Sequence, residues 1–84
     1  MTEEEARAVV IATLQTIAPE VEAAELRSDR PLRNQVDLDS MDWLNFLLGL
    51  NKQLKIEIPE ADYSRLITLD DVVAYLQKKL ATRP

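Results

Sequence analysis

The chain of 84 residues has no cysteine, no histidine and only one glycine. Without cysteine it forms no disulfide and offers no thiolate to a metal ion, and zinc is seldom held by carboxylates alone. Without histidine, none of its serines has an imidazole to activate it as a nucleophile. These absences argue against an enzyme and against a metal site. A domain free of cysteine also fits a reducing compartment such as the cytoplasm.

Long apolar runs and an excess of basic residues are also missing. No stretch approaches the roughly 20 apolar residues of a membrane span. The segment Met1-Thr2-Glu3-Glu4-Glu5 is acidic where a signal peptide would be basic. The net charge is −5 and the isoelectric point is about 4.6, which disfavours nucleic acid as a partner. We therefore expect an untargeted cytoplasmic protein, away from membranes, that meets basic protein surfaces.

Composition and apolar spacing predict one all-α domain over residues 1–84. With 46% hydrophobic and 30% charged residues, the chain matches a single small globular domain. Thr2 and Glu5 have the spacing of a capping box. The helix behind them is expected to end near Ala18, because Pro19 cannot continue it. Its apolar face consists of Ala6, Val9, Val10, Thr13, Leu14 and Ile17.

A second predicted helix begins at Ser40, with Asp39 as its N-cap and Asp42 in an acidic first turn. Its apolar residues are more than one helical face can hide. They are Met41, Trp43, Leu44, Phe46, Leu47, Leu48, Leu50 and Leu54. Gly49 costs this helix about 0.5–1 kcal/mol relative to alanine. Its presence therefore predicts close packing against another helix.

The remaining pattern completes a four-helix bundle with three long helices and one short third helix. The short helix is expected from Pro59 to about Leu66, and Thr68 with Asp71 resembles a capping pair for the final helix. That last helix has Leu69, Val72, Val73, Leu76 and Leu80 at helical spacing. Residues 19–39 form a long loop between the first two helices, with a helical turn or two expected near 20–26. Its apolar residues, which we expect to pin the loop to the core, are Val21, Leu26, Leu32 and Val36.

Asp39-Ser40-Met41-Asp42 is the segment with the most distinctive chemistry, and two interpretations of it stay open. It is either a capped helix start with an incidental serine or an attachment point, because a helix N-terminus favours a phosphate ester on its first residues. A calcium loop is excluded, since Met41 would occupy the fifth loop position and no glycine stands at the sixth. The acids lie in exposed-looking turns, where acid–base catalysis is not expected.

From Thr2 to Leu80 the chain resembles the acyl carrier protein family. The resemblance rests on an acidic capped first helix, a long loop and Asp39-Ser40-Met41-Asp42 at the head of a leucine-rich helix. It continues through Ile56-Glu57-Ile58-Pro59-Glu60, the short third helix and a closing helix with Val72, Tyr75 and Leu76. It implies that a phosphopantetheinyl transferase esterifies Ser40 with 4'-phosphopantetheine from coenzyme A. The thiol of that arm would carry cargo as a thioester, so the protein itself needs no cysteine.

The resemblance also implies that the helix beginning at Ser40 meets partner enzymes, including acyl-loading and acyl-processing enzymes with basic surfaces. The expected partner-binding residues are Asp39, Met41, Asp42, Trp43 and Asn45. For Trp43 two interpretations stay open: a core side chain, as large aromatics usually are, or an anchor for partners beside the arm. Related carriers can open a space for the acyl chain. The candidates to line it here are Leu44, Leu48, Ile58 and Leu66.

Several residues depart from the family pattern, and these departures bear on the pathway that the carrier serves. Asn45, Asn51 and Lys52 stand where such proteins often carry acids, and Asp37 replaces a glycine often found three residues before the serine. These changes put housekeeping fatty acid synthesis in doubt. We therefore expect a free-standing, monomeric acyl carrier of a dedicated pathway. Two alternatives stay open: a carrier of amino acids, of peptidyl or D-alanyl type, and an unmodified helical adaptor.

Overall fold

The computed structural model describes residues 2–81, and its regular elements in that range are all helical. In chain order they are α1 (Glu3–Ile17), a first 3-10 helix (Ala23–Glu25), α2 (Leu32–Gln35), α3 (Ser40–Leu54), a second 3-10 helix (Glu60–Arg65) and α4 (Leu69–Ala81). The long helix α1 packs against both α3 and α4. The predicted all-α bundle with three long helices is confirmed. None of the helices in the described range has the length and hydrophobicity that a membrane crossing requires.

Two capping boxes fix where the helices α1 and α4 begin. At α1, the Thr2 N–H donates to Glu5 Oε1 at 3.1 Å and the Glu5 N–H donates to Thr2 Oγ1 at 3.2 Å. The backbone bond from Thr2 is the main reason that the pKa of the exposed Glu5 carboxyl is lowered. At α4, the same pair of bonds joins Thr68 and Asp71 at 3.1 and 3.0 Å. Both predicted caps are confirmed, since each satisfies helix N–H groups that have no partner within the helix.

The long connection between α1 and α3 is ordered by hydrogen bonds from its own side chains. The Gln35 side chain accepts from the Arg27 N–H at 2.6 Å and donates to the carbonyls of Arg27 and Arg30 at 2.7 and 2.9 Å. The Leu32 N–H donates to the Ile67 carbonyl at 2.9 Å, which ties α2 to the segment before α4. The expected anchors Val21, Leu32 and Val36 are buried, and Leu26 is half-buried. The short helix α2 was not predicted, because its signal in the sequence is a single apolar pair at helical spacing, Leu32 and Val36.

The predicted short third helix is present, but as a six-residue 3-10 helix. Pro59 precedes it, and Leu66 ends it as a buried residue of the core. A segment this short gains few α-helical hydrogen bonds, so the tighter 3-10 form is a common outcome. The Tyr75 hydroxyl of α4 donates to Asp62 Oδ2 at 2.7 Å and holds this helix against α4.

The core lies between the three long helices and is closed by the connections. Its fully buried large side chains come from α1, α2, α3 and α4: Val10, Thr13, Leu14, Leu32, Phe46, Leu47, Leu50, Leu69, Val72 and Leu76. The helices α1, α3 and α4 contribute three of them each, and α1 packs against both of the other two. In the first turn of α3, Trp43 belongs to this core, whereas Ser40 and Met41 are exposed.

Candidate functional site

The start of α3 is built by a side-chain cap. Asp39 has an extended backbone (φ −82°, ψ −178°), and its Oδ1 accepts a hydrogen bond from the Asp42 N–H at 2.8 Å. The cap satisfies one of the helix's free N–H groups, and 15 residues of aligned peptide dipoles follow it. The helix therefore begins sharply at Ser40 and presents partial positive charge there.

Ser40 is the first residue of α3, and it is exposed. Its side chain makes no hydrogen bond to any other residue of the range 2–81. The chain has no histidine, and no group of three or more potential ligands in the described residues could hold a metal ion. The hydroxyl is thus accessible and unengaged, and no imidazole is available to activate it. Such a serine is suited to accept a group that another protein transfers to it.

Four of the five expected partner-binding residues are accessible in the structure. Asp39 and Asn45 are exposed, Met41 is 66% exposed, and Asp42 is half-buried. Together with Ser40 they surround the first turns of α3. The structure therefore places these four where a partner could touch them.

Trp43, the fifth expected partner-binding residue, is buried. The expectation that it anchors partners at the surface is wrong for this structure. Its side chain is 7% exposed, and its ring lies 5.1 Å from the ring of Phe46 at a tilt of 35°. The helical period puts Trp43 on the same face as Phe46, Leu47 and Leu50, which is turned into the core. The core interpretation is therefore the correct one of the two.

The expected acyl-pocket residues differ in their exposure. Leu44 and Leu48 are 37% and 48% exposed, whereas Ile58 and Leu66 are 6% and 3% exposed. Leu44 and Leu48 project from the outer face of α3, because its inner face is already occupied by Trp43 and its neighbours. Two of the four are thus at the surface and two are in the core, and a shared space for the acyl chain stays a prediction.

A groove that the sequence did not indicate opens instead on the other side of Trp43. It lies between α2, the start of α3 and the second 3-10 helix, and has a volume of about 470 Å³. Its lining residues are Pro31, Arg33, Asn34, Leu38, Trp43, Tyr63, Ser64, Leu66 and Ile67. The spacing of the buried Leu32 and Val36, four residues apart, is the signal that could have revealed α2 and hence one wall of the groove.

Comparison with known proteins agrees with this geometry. The family model described as "Phosphopantetheine attachment site" matches residues 8–76. An acyl carrier protein of Campylobacter hominis is 31% identical over 74 residues, which cover 88% of this chain and 87% of the relative. An acyl carrier protein of Helicobacter hepaticus is 30% identical over 76 residues, which cover 90% and 93%. The helical bundle is that of a carrier domain, and the chain belongs to the acyl carrier protein family.

Membership of this family defines the general chemistry. Acyl carrier proteins are carriers and not enzymes, and they bear covalently attached 4'-phosphopantetheine. They interact with phosphopantetheinyl transferases and with acyl-processing enzymes. When bound, the group supplies a flexible arm and a thiol that holds cargo as a thioester. The chain supplies the hydroxyl and the surface around it, and the exposed, unengaged hydroxyl of Ser40 fits that requirement.

Proposed function

We propose that Ser40 is the residue that receives 4'-phosphopantetheine, and that the chain carries acyl thioesters between partner enzymes. The observation that supports this is the exposed, unengaged hydroxyl at the capped start of a 15-residue helix. The chain has two other serines. Ser28 is half-buried in a loop, and Ser64 lies within the short second 3-10 helix. Neither stands at the start of a long helix.

The surroundings of Ser40 suit a phosphodiester. The helix dipole and the free N–H groups of the first turn favour negative charge on the first residues of α3. Asp39 holds the turn in place through its bond to the Asp42 N–H. The cap therefore keeps the serine in a fixed position relative to the helix axis, where a transferase can reach it.

The charges of α3 favour partners with basic groups near their active-site entrance. Asp39 and Asp42 lie within one turn of Ser40, and from Trp43 to Leu54 the helix has no acidic residue. Its other charged residue is Lys52, near the far end. Attraction to a basic surface therefore acts mainly at the Ser40 end, where it would bring the arm to the entrance.

The same charge distribution supports a dedicated pathway over housekeeping fatty acid synthesis. Asn45 and Lys52 are exposed and Asn51 is half-buried, so these neutral and basic side chains are available to partners. A partner selecting for acids along the whole helix would meet none beyond Asp42. We propose that this carrier serves enzymes that recognise the start of α3 and its neutral middle.

Enzymatic loading tests the attachment site. The protein is incubated with coenzyme A and a broad-specificity phosphopantetheinyl transferase, and its intact mass is then measured. The wild type and Ser64→Ala, a control at another exposed serine, are expected to gain the mass of one phosphopantetheine. Ser40→Ala is expected to gain none while keeping its helical circular dichroism, since an exposed first-turn serine contributes little to stability.

Two results would contradict the proposal. If the wild type gains no mass, the chain is an unmodified helical adaptor. If Ser40→Ala still gains mass, the attachment residue is another one. Cargo type is tested separately by offering the loaded protein to acyl-activating and amino-acid-activating enzymes with ATP. Thioester formation only with amino acids would replace the acyl proposal by the aminoacyl alternative.

A further inference from the structure

The groove beside Trp43 is lined by several residues with hydrogen-bond donors and, within residues 2–81, by no residue with a carboxylate. Among its lining residues, Arg33 carries a guanidinium, Asn34 an amide and Trp43 an indole N–H, and Tyr63 and Ser64 carry hydroxyls. This composition differs from that of the chain as a whole, in which acids outnumber bases by 15 to 10.

The donors of the groove have no partners in the described part of the chain. The side chains of Arg33, Asn34 and Ser64 form no hydrogen bond or ion pair with another residue of the range 2–81. The Trp43 indole N–H likewise has no acceptor there. No buried side-chain nitrogen or oxygen among residues 2–81 lacks a partner. The indole N–H is therefore accessible even though the tryptophan side chain is almost entirely buried, and Trp43 lines this groove.

The groove lies close to the start of α3. Leu38, two residues before Ser40, and Trp43, three residues after it, both line it. One helical turn spans about 5.4 Å, and an arm of phosphopantetheine length is several times longer. A cargo on Ser40 can therefore fold back over the first turn of α3 and enter the groove, which Arg33 also lines. The groove has a volume of about 470 Å³, which is in the range of small-ligand sites.

We infer that this groove holds the oxygen atoms of an oxygenated or carboxylate-bearing acyl group, with Arg33 as the residue that determines specificity; this inference rests on the proposed attachment at Ser40. A guanidinium binds a carboxylate through charge-assisted hydrogen bonds, about twice as strong as neutral ones. The indole N–H and the Asn34 amide provide further donors to a carbonyl or hydroxyl oxygen.

The same lining selects against two other cargo classes. An aminoacyl group would bring its ammonium toward Arg33, where no lining carboxylate offsets the repulsion. A plain alkyl chain would leave the donors of Arg33, Asn34 and Trp43 without acceptors and would partly desolvate them, which costs free energy. Asp37 and Asp39 flank Leu38 in sequence, but they do not line the groove.

The single tryptophan of the chain gives one indole N–H resonance and makes the inference testable by NMR. The ¹⁵N-labelled protein is loaded on Ser40 by the broad-specificity transferase from three acyl-coenzyme A donors: glutaryl, pentanoyl and β-alanyl. Loading is confirmed by intact mass. Relative to the protein carrying the bare arm, glutaryl is expected to shift the Trp43 indole resonance at least about twofold more than the other two cargoes.

A charge-matched pair of variants assigns the effect to Arg33. In Arg33→Gln the additional shift with glutaryl is expected to disappear, while the pentanoyl spectrum stays the same. Arg65→Gln removes an equal charge from the second 3-10 helix but not from the groove, and it is expected to keep the shift. Equal shifts with all three cargoes would mean that the arm and not the cargo occupies the groove, and would overturn the inference. Loading without any shift would overturn it also and leave the attachment intact, whereas absence of loading would overturn both.

Discussion

Gly49 of α3 faces the γ-methyl group of Thr13 in α1, so closely that a methyl group on Gly49 would lie 3.0 Å from it. Thr13 is 1% exposed and cannot easily turn away. Its hydroxyl donates to the Val9 carbonyl at 2.8 Å and accepts from Gln53 Nε2 at 2.8 Å. The contact confirms the prediction that the mid-helix glycine serves close packing. It also identifies Thr13 as the neighbour that requires it.

We expect Gly49→Ala to lower the free energy of unfolding by about 1 kcal/mol. Alanine favours a helix by about 0.5–1 kcal/mol over glycine, but overpacking against a fixed neighbour costs about 1–3 kcal/mol, so crowding prevails. The control is Thr13→Ser, which removes the γ-methyl and keeps both hydrogen bonds. In that background Gly49→Ala is expected to be neutral or stabilising.

Urea unfolding of the wild type, both single variants and the double variant measures this coupling. A coupling free energy of about 1–2 kcal/mol is expected between positions 13 and 49. If Gly49→Ala stabilises the wild type as much as it stabilises Thr13→Ser, the glycine is not required by the contact.

The elements that could be predicted from sequence are those with local signals. The capping boxes at Thr2 and Thr68, the stop before Pro19 and the cap at Asp39 each rest on residues within a few positions of one another, and each is present. The groove could not be predicted in the same way. It joins Arg33 and Trp43 with residues 63–67, which are far apart in sequence, and the turn that presents Arg33 is held by hydrogen bonds from Gln35.

The apolar residues of α3 give a second example of what could not be predicted from sequence, namely which of several leucines are buried. Leu44, Leu47 and Leu48 are equivalent as hydrophobic residues, and only packing decides which is buried. Leu47 is 1% exposed and the other two are on the outer face. The sequence predicted a helix with too many apolar residues for one face, but the direction of the inner face depends on how α3 packs against α1.

This distinction predicts very different effects for two neighbouring leucines. Leu47→Ala is expected to cost about 2–5 kcal/mol, a loss comparable with the whole stability of a domain this small. Leu48→Ala is expected to change stability by less than about 0.5 kcal/mol. Urea unfolding followed by circular dichroism compares them. Leu47→Met, which nearly conserves volume, should recover most of the loss. Equal costs at positions 47 and 48 would mean that α3 is rotated about its axis.

The bond between Tyr75 and Asp62 predicts a dependence of stability on alkaline pH. Partial burial, followed by the hydrogen bond to Asp62, raises the pKa of Tyr75 well above that of a free tyrosine. A pKa raised in the folded state means that folding favours the protonated hydroxyl. The resulting stabilisation is complete below the unfolded pKa of about 10 and is lost as the pH rises above it toward the folded pKa.

Tyr75→Phe tests this link. The variant is expected to lose about 0.5–1.5 kcal/mol near neutral pH, the usual net value of one hydrogen bond. The difference from the wild type should shrink between about pH 10 and pH 12. Urea unfolding across this range measures it, and ultraviolet difference titration of wild type against variant isolates the ionisation of Tyr75. A Tyr75 transition at the free-tyrosine pKa would contradict the assigned hydrogen bond.

Asp39 combines a structural and an electrostatic role, and two substitutions separate them. Asp39→Ala removes both the cap and the charge, and it is expected to cost about 0.5–2 kcal/mol of stability. Asp39→Asn keeps an acceptor for the Asp42 N–H and is expected to stay within a few tenths of a kcal/mol of the wild type. Both are expected to lower kcat/KM for loading by a phosphopantetheinyl transferase severalfold, with a weaker dependence on salt, because both remove a charge beside Ser40.

Asp37→Asn is the matched control for the charge effect. Asp37 is exposed and makes no hydrogen bond to another residue of the range 2–81, and it precedes α3 without capping it. If transferases respond to the position of the charge, Asp37→Asn lowers kcat/KM less than Asp39→Asn does. Equal losses would show that net charge alone steers the encounter. A loss of stability in Asp39→Asn as large as in Asp39→Ala would show that the carboxylate charge, through the helix dipole, contributes more than the hydrogen bond to the start of α3.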